Sequence, residues 1–545
     1  MQKAGLYILI ILSLIIEGNI QSQTCPSSNY SISRQSQVDS FPLLFPNCNS
    51  LPGDLIINGD VRNLDSLIQI DSIFGSLKAM SANSLKNFWG LRNLRYLGTE
   101  FNISNNDSLI NFRGLEGIQK ISYLNIAGNA SLKNLRGLDS LEDIISLYLV
   151  NNASLDSLSG LESIDNIWNI FIVLGNSSLR SLKGLNNIFI ESLSVVNNDS
   201  LKNLEGLDDN IQLGRSLTIN GNDGLLNLKG LENFSSIPGS LQISGNSKIQ
   251  NLVELAALKY VGESLTIAAN QYLLSLAGLD SLEKVEFVLG ISDNNKLPSL
   301  DGLYSIDSIG QSLSIRGNDS LTSLNALSNL KFVGGSLLIW DNDQLRKLNG
   351  LDSLQKAGGL NIRANKKLNS LWALRKLKWI SGEVRLAEND SLSTLKGLDS
   401  ADFSTVNPLF IYDSPVLEIC AVKSVCDYLA TNKIAYILNN APGCNDTIEV
   451  QNKCASIGLN EKESLDFTIY PNPSSSGFSL EIDSYLDFPI TMYVYDLNGK
   501  MIHKSKRIYS HRFKQTDLGL EAGVYLIKLS SNSKTHFRTQ KLYIQ

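Results

Sequence analysis

The chain has 545 residues, with 47 Lys and Arg against 53 Asp and Glu, a formal net charge of −6 at pH 7. That balance argues against nucleic acid as the main partner, because phosphate binding wants a basic surface. Apolar residues make 43% of the chain and charged ones 18%, which argues against disorder and for a large core.

Residues 1–23 join Lys3 to an apolar run from Ala4 to Ile16, followed by polar residues up to Gln23. This pattern predicts a secretory signal peptide. The run is shorter than the roughly 20 apolar residues a spanning helix needs, and no other segment offers one, so the mature chain is expected to have no transmembrane helix. Six cysteines, an even number, suit an exported protein. Cys25 and Cys48 precede the repeats and are expected to pair within an N-terminal cap, 24–51. Cys420, Cys426, Cys444 and Cys454 follow the repeats. They allow three pairings, which spacing alone does not separate. Their spacings lack a C-x2-C knuckle, so no zinc site is expected.

From 52 to 417 one pattern recurs: L-x-I-x-x-N-x-x-L-x-x-L-x-G-L-x-x-L-x-x-I. Its Asn is read at 83, 106, 129, 152, 176, 198, 222, 246, 270, 294, 318, 342, 365 and 389, with Asp60 and Ser414 in weaker outer copies. A fixed period of 22–24 residues means a solenoid, here sixteen turns. In Leu313-Ser314-Ile315-Arg316 the period of two places Leu and Ile inside and Ser and Arg outside. Asn318 then sits at a bend, where its amide can bond the backbone of the next coil. Gly302 marks a corner whose dihedrals glycine tolerates. At 4.8 Å per strand, sixteen turns give a rod of roughly 75 Å. The predicted fold is mainly β, a right-handed parallel β-solenoid followed by a small antiparallel β-sandwich. The repeat resembles the leucine-rich repeat and, more closely, the receptor L domain of growth-factor receptors, which implies a β-helix and leaves the ligand open. The L-x-x-L-x-L-x-x-N form is only partly met, so a horseshoe is the alternative shape.

Apolar residues near helical spacing predict a capping helix over 418–430, inside a Cys-containing cap, 418–455. A linker is read at 456–464. From 465 to 545 alternating apolar and β-branched runs, separated by Gly and Asn-Gly turns, predict the sandwich. Pro471-Asn472-Pro473, Gly477, Asp496 with Gly499, Gly523-Val524-Tyr525 and Lys541 resemble the C-terminal sorting domain of type IX secretion cargo, found in Bacteroidota. The resemblance implies recognition by the outer-membrane translocon, delivery to the cell surface or medium, and commonly removal of the domain after export.

Little in the sequence points to chemistry. The three histidines, His503, His511 and His536, all lie in the last 45 residues. Without that segment, Ser-His-Asp and Cys-His systems and His-ligated metals are excluded. No phosphate loop or dinucleotide fingerprint is present, and no enzyme, metal or cofactor is expected. Asn-Asp turns at Asp107, Asp199, Asp319 and Asp390 supply too few oxygens at one point for calcium. Asp-Ser-Leu recurs nine times between 65 and 392 and resembles a Bacteroidota O-glycosylation sequon, or reflects repeat positions alone.

The outward ladder positions are mostly Ser, Thr, Asn and Ala, with two departures. Tyr148, Val150, Ile172, Leu174 and Val196 predict an apolar strip. Arg316, Trp340, Arg363 and Arg385 predict a ligand-binding patch of interface composition, with Leu338, Phe410 and Tyr412 beside it. Lys366, Lys367, Arg375, Lys376 and Lys378 add positive charge nearby. The expectation is a surface solenoid recognising an unknown protein or polysaccharide. The alternatives are a structural surface-layer component without a ligand, and a polysaccharide-cleaving β-helix using paired carboxylates.

Overall fold

Alternation of Leu and Ile with polar residues produces strands whose apolar faces stack turn upon turn. The computed structural model describes residues 25–457 except 208, 209 and 432, and residues 467–544 except 471, 475–476, 483–488, 506, 511, 517 and 532–536. The expected signal peptide, most of the expected linker, Pro471, His511 and His536 lie outside the described residues. Two compact units form, Met1–Lys453 and Cys454–Gln545.

The first unit is a parallel β-solenoid of about 17 turns. Its main ladder runs from the strand Tyr30–Arg34 through Leu55–Asp60 and onward to Leu409–Tyr412 and Ala435–Leu438. It therefore starts a turn earlier and ends a turn later than the 52–417 span. At the strand spacing this is about 80 Å. A second ladder of two-residue strands runs beside it, for example Ser72–Ile73, Tyr96–Leu97, Tyr260–Val261, Lys284–Val285 and Trp379–Ile380. The inward residues are fully buried in columns, such as Leu289, Leu313 and Leu337 beside Ile291, Ile315 and Ile339.

A buried asparagine ladder ties successive coils together. The backbone N–H of Asn318 donates to Oδ1 of Asn342 (3.2 Å), and its Nδ2 donates to the Ile291 carbonyl one turn back (2.9 Å). The same pair of bonds recurs at every rung from Asn106 to Asn365, each with no solvent exposure. An isolated buried amide would be costly; here both its ends are satisfied. Ser414 continues the series, accepting from the Asn389 N–H, and Asn440 follows it. At the start, the slot belongs to Ala82, whose N–H donates to Asn106 Oδ1 (2.9 Å); Asn83 lies one residue beyond and is exposed. The slot is fixed by the residue after a left-handed backbone position, here Ser81 at φ 57°, and not by the nearest Asn. Asp60 follows the left-handed Gly59 but is exposed and paired with Arg62 (3.4 Å).

Corner glycines from Gly114 to Gly397 hold φ between +106° and +119°. At Gly302 a Cβ would lie 2.2 Å from the Leu276 carbonyl oxygen, so no side chain fits. The residue two positions on often accepts from the glycine N–H, as Asp280 does from Gly278 (3.1 Å) and Asp352 from Gly350 (3.0 Å). Short 3₁₀ turns such as Asn325–Leu327 and Trp372–Lys376 replace the glycine corner elsewhere.

Both ends are covered. Helix Gln35–Leu44 carries buried Val38 and Phe41, and Cys25 pairs with Cys48 as expected. At the far end Cys420 pairs with Cys444, while Cys426 and Cys454 are also disulfide-bonded. The helix there spans Lys423–Leu429, shorter than 418–430, because Glu418 and Ile419 still bond the Ser393 carbonyl as solenoid backbone.

The second unit is two antiparallel sheets. One holds Phe467–Tyr470, Gly477–Ile482 and Arg512–Thr516; the other holds Ile490–Tyr495, Met501–Lys504, Gly523–Ser531 and Phe537–Ile544. Phe478, Leu480, Met492, Val494, Ile527, Leu529 and Leu542 form its core.

Candidate functional site

The ladder register decides which outward residues meet. Arg316 pairs with Trp340, and Trp340 with Arg363, in one column on consecutive turns. The indole lies between two guanidiniums, at 4.6 Å from Arg316 and 4.1 Å from Arg363 to the ring centroid. These are cation–π distances. Neither arginine has an ion-pair partner among the described residues. Trp340 Nε1, Arg363 Nε and the Asn361 Oδ1 in the adjoining column are buried atoms without a hydrogen-bond partner among the described residues. Two donors and an acceptor thus stay unpartnered beneath the surface beside a flat aromatic ring.

Arg385 is placed differently. It lies in the neighbouring column, next to Asn361 and Phe410. Its Nε bonds Glu383 (2.7 Å), an amino group bonds the Tyr412 hydroxyl (3.0 Å), and its guanidinium lies 4.2 Å from the Phe410 ring. Hydrogen bonding to Glu383 holds it in the charged form. Phe410 stacks on Tyr436 at 4.9 Å. The surrounding positive charge is largely answered: Lys366 meets Asp343 (2.8 Å), Arg375 meets Asp352 (2.5 Å), and Lys367 bonds Gln344. Arg316 and Arg363 are thus the cations without an ion-pair partner that flank Trp340 among the described residues.

The apolar strip also assembles. Tyr148 pairs with Ile172, Val150 with Leu174, and Leu174 with Val196. Tyr123 extends it, its ring 5.0 Å from that of Tyr148. The turns between the two patches present Thr218, Gln242, Thr266, Gly290 and Ser314.

A further feature has no periodic signal in the sequence. Beside the second ladder, Arg95–Gly98, Gln119–Ser122, Asp143–Ile145 and Trp168 line a cleft of about 480 Å³. Tyr96 and Trp168, at 50% and 56% exposed, are its aromatic members. Lys120 bonds Asp143 (3.0 Å), and Asn166 also donates to that carboxylate (3.0 Å). These two bonds, the lysine first, hold the Asp143 carboxyl below the usual carboxylate range.

The Asp-Ser-Leu copies fall into different places. Asp139, Asp280 and Asp352 are corner acceptors for glycine N–H groups. Asp107, Asp199, Asp319 and Asp390 follow ladder asparagines and are exposed. Among the described residues no group of three or more His, Cys, Asp or Glu is placed to hold a metal ion.

In the second unit the motif residues shape turns and edges. Asn472 Nδ2 donates to the Lys541 carbonyl (2.8 Å), and its Oδ1 accepts from the Tyr543 N–H (2.8 Å), so it clamps the last strand. Pro473 follows Asn472, and Gly477 opens the second strand of its sheet. Asp496 accepts from the N–H groups of Asn498 and Lys500 across a turn in which Gly499 has φ 81°. Gly523 opens a strand, and the Tyr525 hydroxyl donates to the Glu521 carbonyl (3.0 Å). Residues 468–545 match the family of secretion system C-terminal sorting domains. That domain supports export by type IX secretion and implies its machinery as a partner. No curated protein matches the chain. No helix among the described residues is long and apolar enough to cross a membrane.

Proposed function

We propose that this chain is a surface-displayed or released recognition protein of Bacteroidota. An N-terminal signal peptide starts its export, and the solenoid is receptor L-domain-like. It binds an anionic surface polymer, carboxylate- or sulfate-bearing, by multivalent contact along the ladder. No covalent step belongs to this reading. The observation that carries it is the indole of Trp340 held between the two open guanidiniums of Arg316 and Arg363, with its N–H unpartnered. Guanidiniums recognise planar anionic groups with paired donors, and a Trp–Arg cluster has hot-spot composition. The polar turns before it and the paired charges around it confine the affinity to this column.

The test uses the full chain, expressed with disulfides formed, on arrays of acidic and neutral surface polysaccharides. Saturable binding to an acidic polymer is expected. It should weaken with salt and be lost in the variant Arg316→Ala, Trp340→Ala, Arg363→Ala. Binding indifferent to that variant removes the patch from the reading. No binding at all moves the chain to a structural surface role.

A further inference from the structure

The cleft beside the second ladder has walls and a floor that the register explains. Ile73 pairs with Leu97, and Ile121 with Ile144, so the residues that follow them occupy equivalent positions on successive turns. Those residues are Phe74, Gly98, Ser122 and Ile145. Two small residues therefore lie between bulky neighbours, and the gap is the cleft. Nothing larger than glycine fits at 98, where a Cβ would lie 1.9 Å from the Phe74 carbonyl oxygen.

Trp168 reaches the cleft by a local irregularity. Ile167 pairs with Ile144 and Ile170 with Ser146, so Trp168 and Asn169 together face the single residue Ile145. This is a bulge, a device that re-aims a side chain next to functional sites. Asn169 secures it by donating to the Ser146 hydroxyl (3.1 Å). At the other side Tyr96 packs on Phe74, ring centroids 5.4 Å apart. Tyr96 and Trp168 stand three strand spacings apart, about 14 Å along the solenoid. Between them lie Lys120 and Asp143, which neutralise one another.

We propose that this cleft binds a neutral sugar chain running along the solenoid axis. Trp168 and Tyr96 are the platforms for the apolar faces of two pyranose rings. Lys120, Asp143, Gln119 and the Ser122 hydroxyl are the donors and acceptors for the ring hydroxyls. Concave shape, exposed aromatic faces and a few convergent polar groups are the general features of a ligand site. Of the two cations in the lining, Lys120 is neutralised by Asp143 and Arg95 donates to the Arg92 and Leu94 carbonyls, which favours a hydroxyl-bearing neutral ligand over the anion assigned to the late turns. The inference is independent of that assignment, since Trp340 lies seven strand spacings from Trp168, about 34 Å.

The test is isothermal titration of the full chain with hexasaccharides of β-1,4-glucan, xylan, mannan and chitin, and with an acidic hexagalacturonate. At least one neutral hexasaccharide is expected to bind saturably. Trp168→Ala should weaken it about tenfold or more. Ser122→Phe, which fills the floor from an exposed position, should abolish it, while Trp340→Ala leaves it unchanged. Circular dichroism of each variant confirms that it is folded. The proposal is overturned if no neutral hexasaccharide binds, if binding survives Trp168→Ala and Ser122→Phe undiminished, or if only hexagalacturonate is lost in those variants.

Discussion

The turns that present Thr218, Gln242, Thr266 and Gly290 and those that present Arg316, Trp340 and Arg363 share one interior. Both stack Leu and Ile at the same inward positions, and both run through the same asparagine ladder. What differs is the outward residue: in the column of Trp340 the earlier turns carry Asn220, Ser244, Ala268 and Ser292, and the later ones Arg316, Trp340 and Arg363. Folding alone thus accepts the bland face, so the shared interior does not require the Arg–Trp–Arg column. In the same way, the paired Lys366 and Arg375 look like ordinary surface solvation, while Arg316 and Arg363 do not.

Breaking the shared interior should cost the two regions equally. Asn270→Ala and Asn342→Ala each strand a buried N–H and a buried carbonyl, and each should lose about 3–5 kcal/mol, read from urea unfolding. A much smaller loss at 342 would mean that the late turns have a different interior after all. The corner glycines sharpen the contrast between inside and outside. Gly302→Ala meets both a positive φ and the Leu276 carbonyl, and should cost about 1–3 kcal/mol. Gly290→Ala has no heavy atom nearer than 3.8 Å and should leave stability unchanged or slightly raised.

Outside, the expected stability effects are smaller and the functional ones larger. Trp340→Ser removes two cation–π contacts and should lower stability by about 1–2 kcal/mol at most, while abolishing acidic-polymer binding. Ser314→Ala, one turn earlier and in the adjoining column, should change neither. The smallest effect belongs to an outward pair that does serve the fold. Lys78 meets Asp54 at 2.9 Å, and Asp54 also accepts from the Ser76 N–H. Burial pushes the Asp54 carboxyl up, but the hydrogen bonds, Lys78 first, outweigh it and hold it below its ordinary range. A depressed folded value gives stability that is present above the unfolded carboxyl pKa, about 3.9, and is lost as pH falls through the folded value. Asp54→Asn should therefore cost up to about 1 kcal/mol at pH 7 and nothing in strong acid, measured by thermal unfolding across pH.

The sequence carried the solenoid because its period repeats the same physics at every turn. Inward Leu313 and Ile315, the buried Asn318 and the corner Gly302 were all readable as positions before any coordinate. Asn83 was misplaced for a physical reason: the ladder slot is set by backbone geometry at Ser81, which the string Ser-Ala-Asn-Ser does not reveal. The column Arg316–Trp340–Arg363 was legible through spacing, each residue standing two before its ladder Asn, and the same spacing sets Arg385, four before Asn389, in the adjoining column. The cleft was not legible at all. It depends on Gly98 and Ser122 lying between larger neighbours, and on one extra residue that turns Trp168 outward. The first leaves no mark on the period, and the second only lengthens the Asn152–Asn176 spacing to 24, a length that other turns share.

The asparagine ladder also has a direction. Every asparagine rung accepts from the coil before it and donates back to that coil's carbonyl, and the series closes where Asn440 also donates to the Cys444 carbonyl (3.0 Å) inside the disulfide loop. A whole extra coil inserted between any two rungs finds the same acceptor behind it and offers the same one ahead. Length is then a variable that duplication can change without redesigning the interior. The caps stay fixed, and what shifts is the distance separating one surface patch from another.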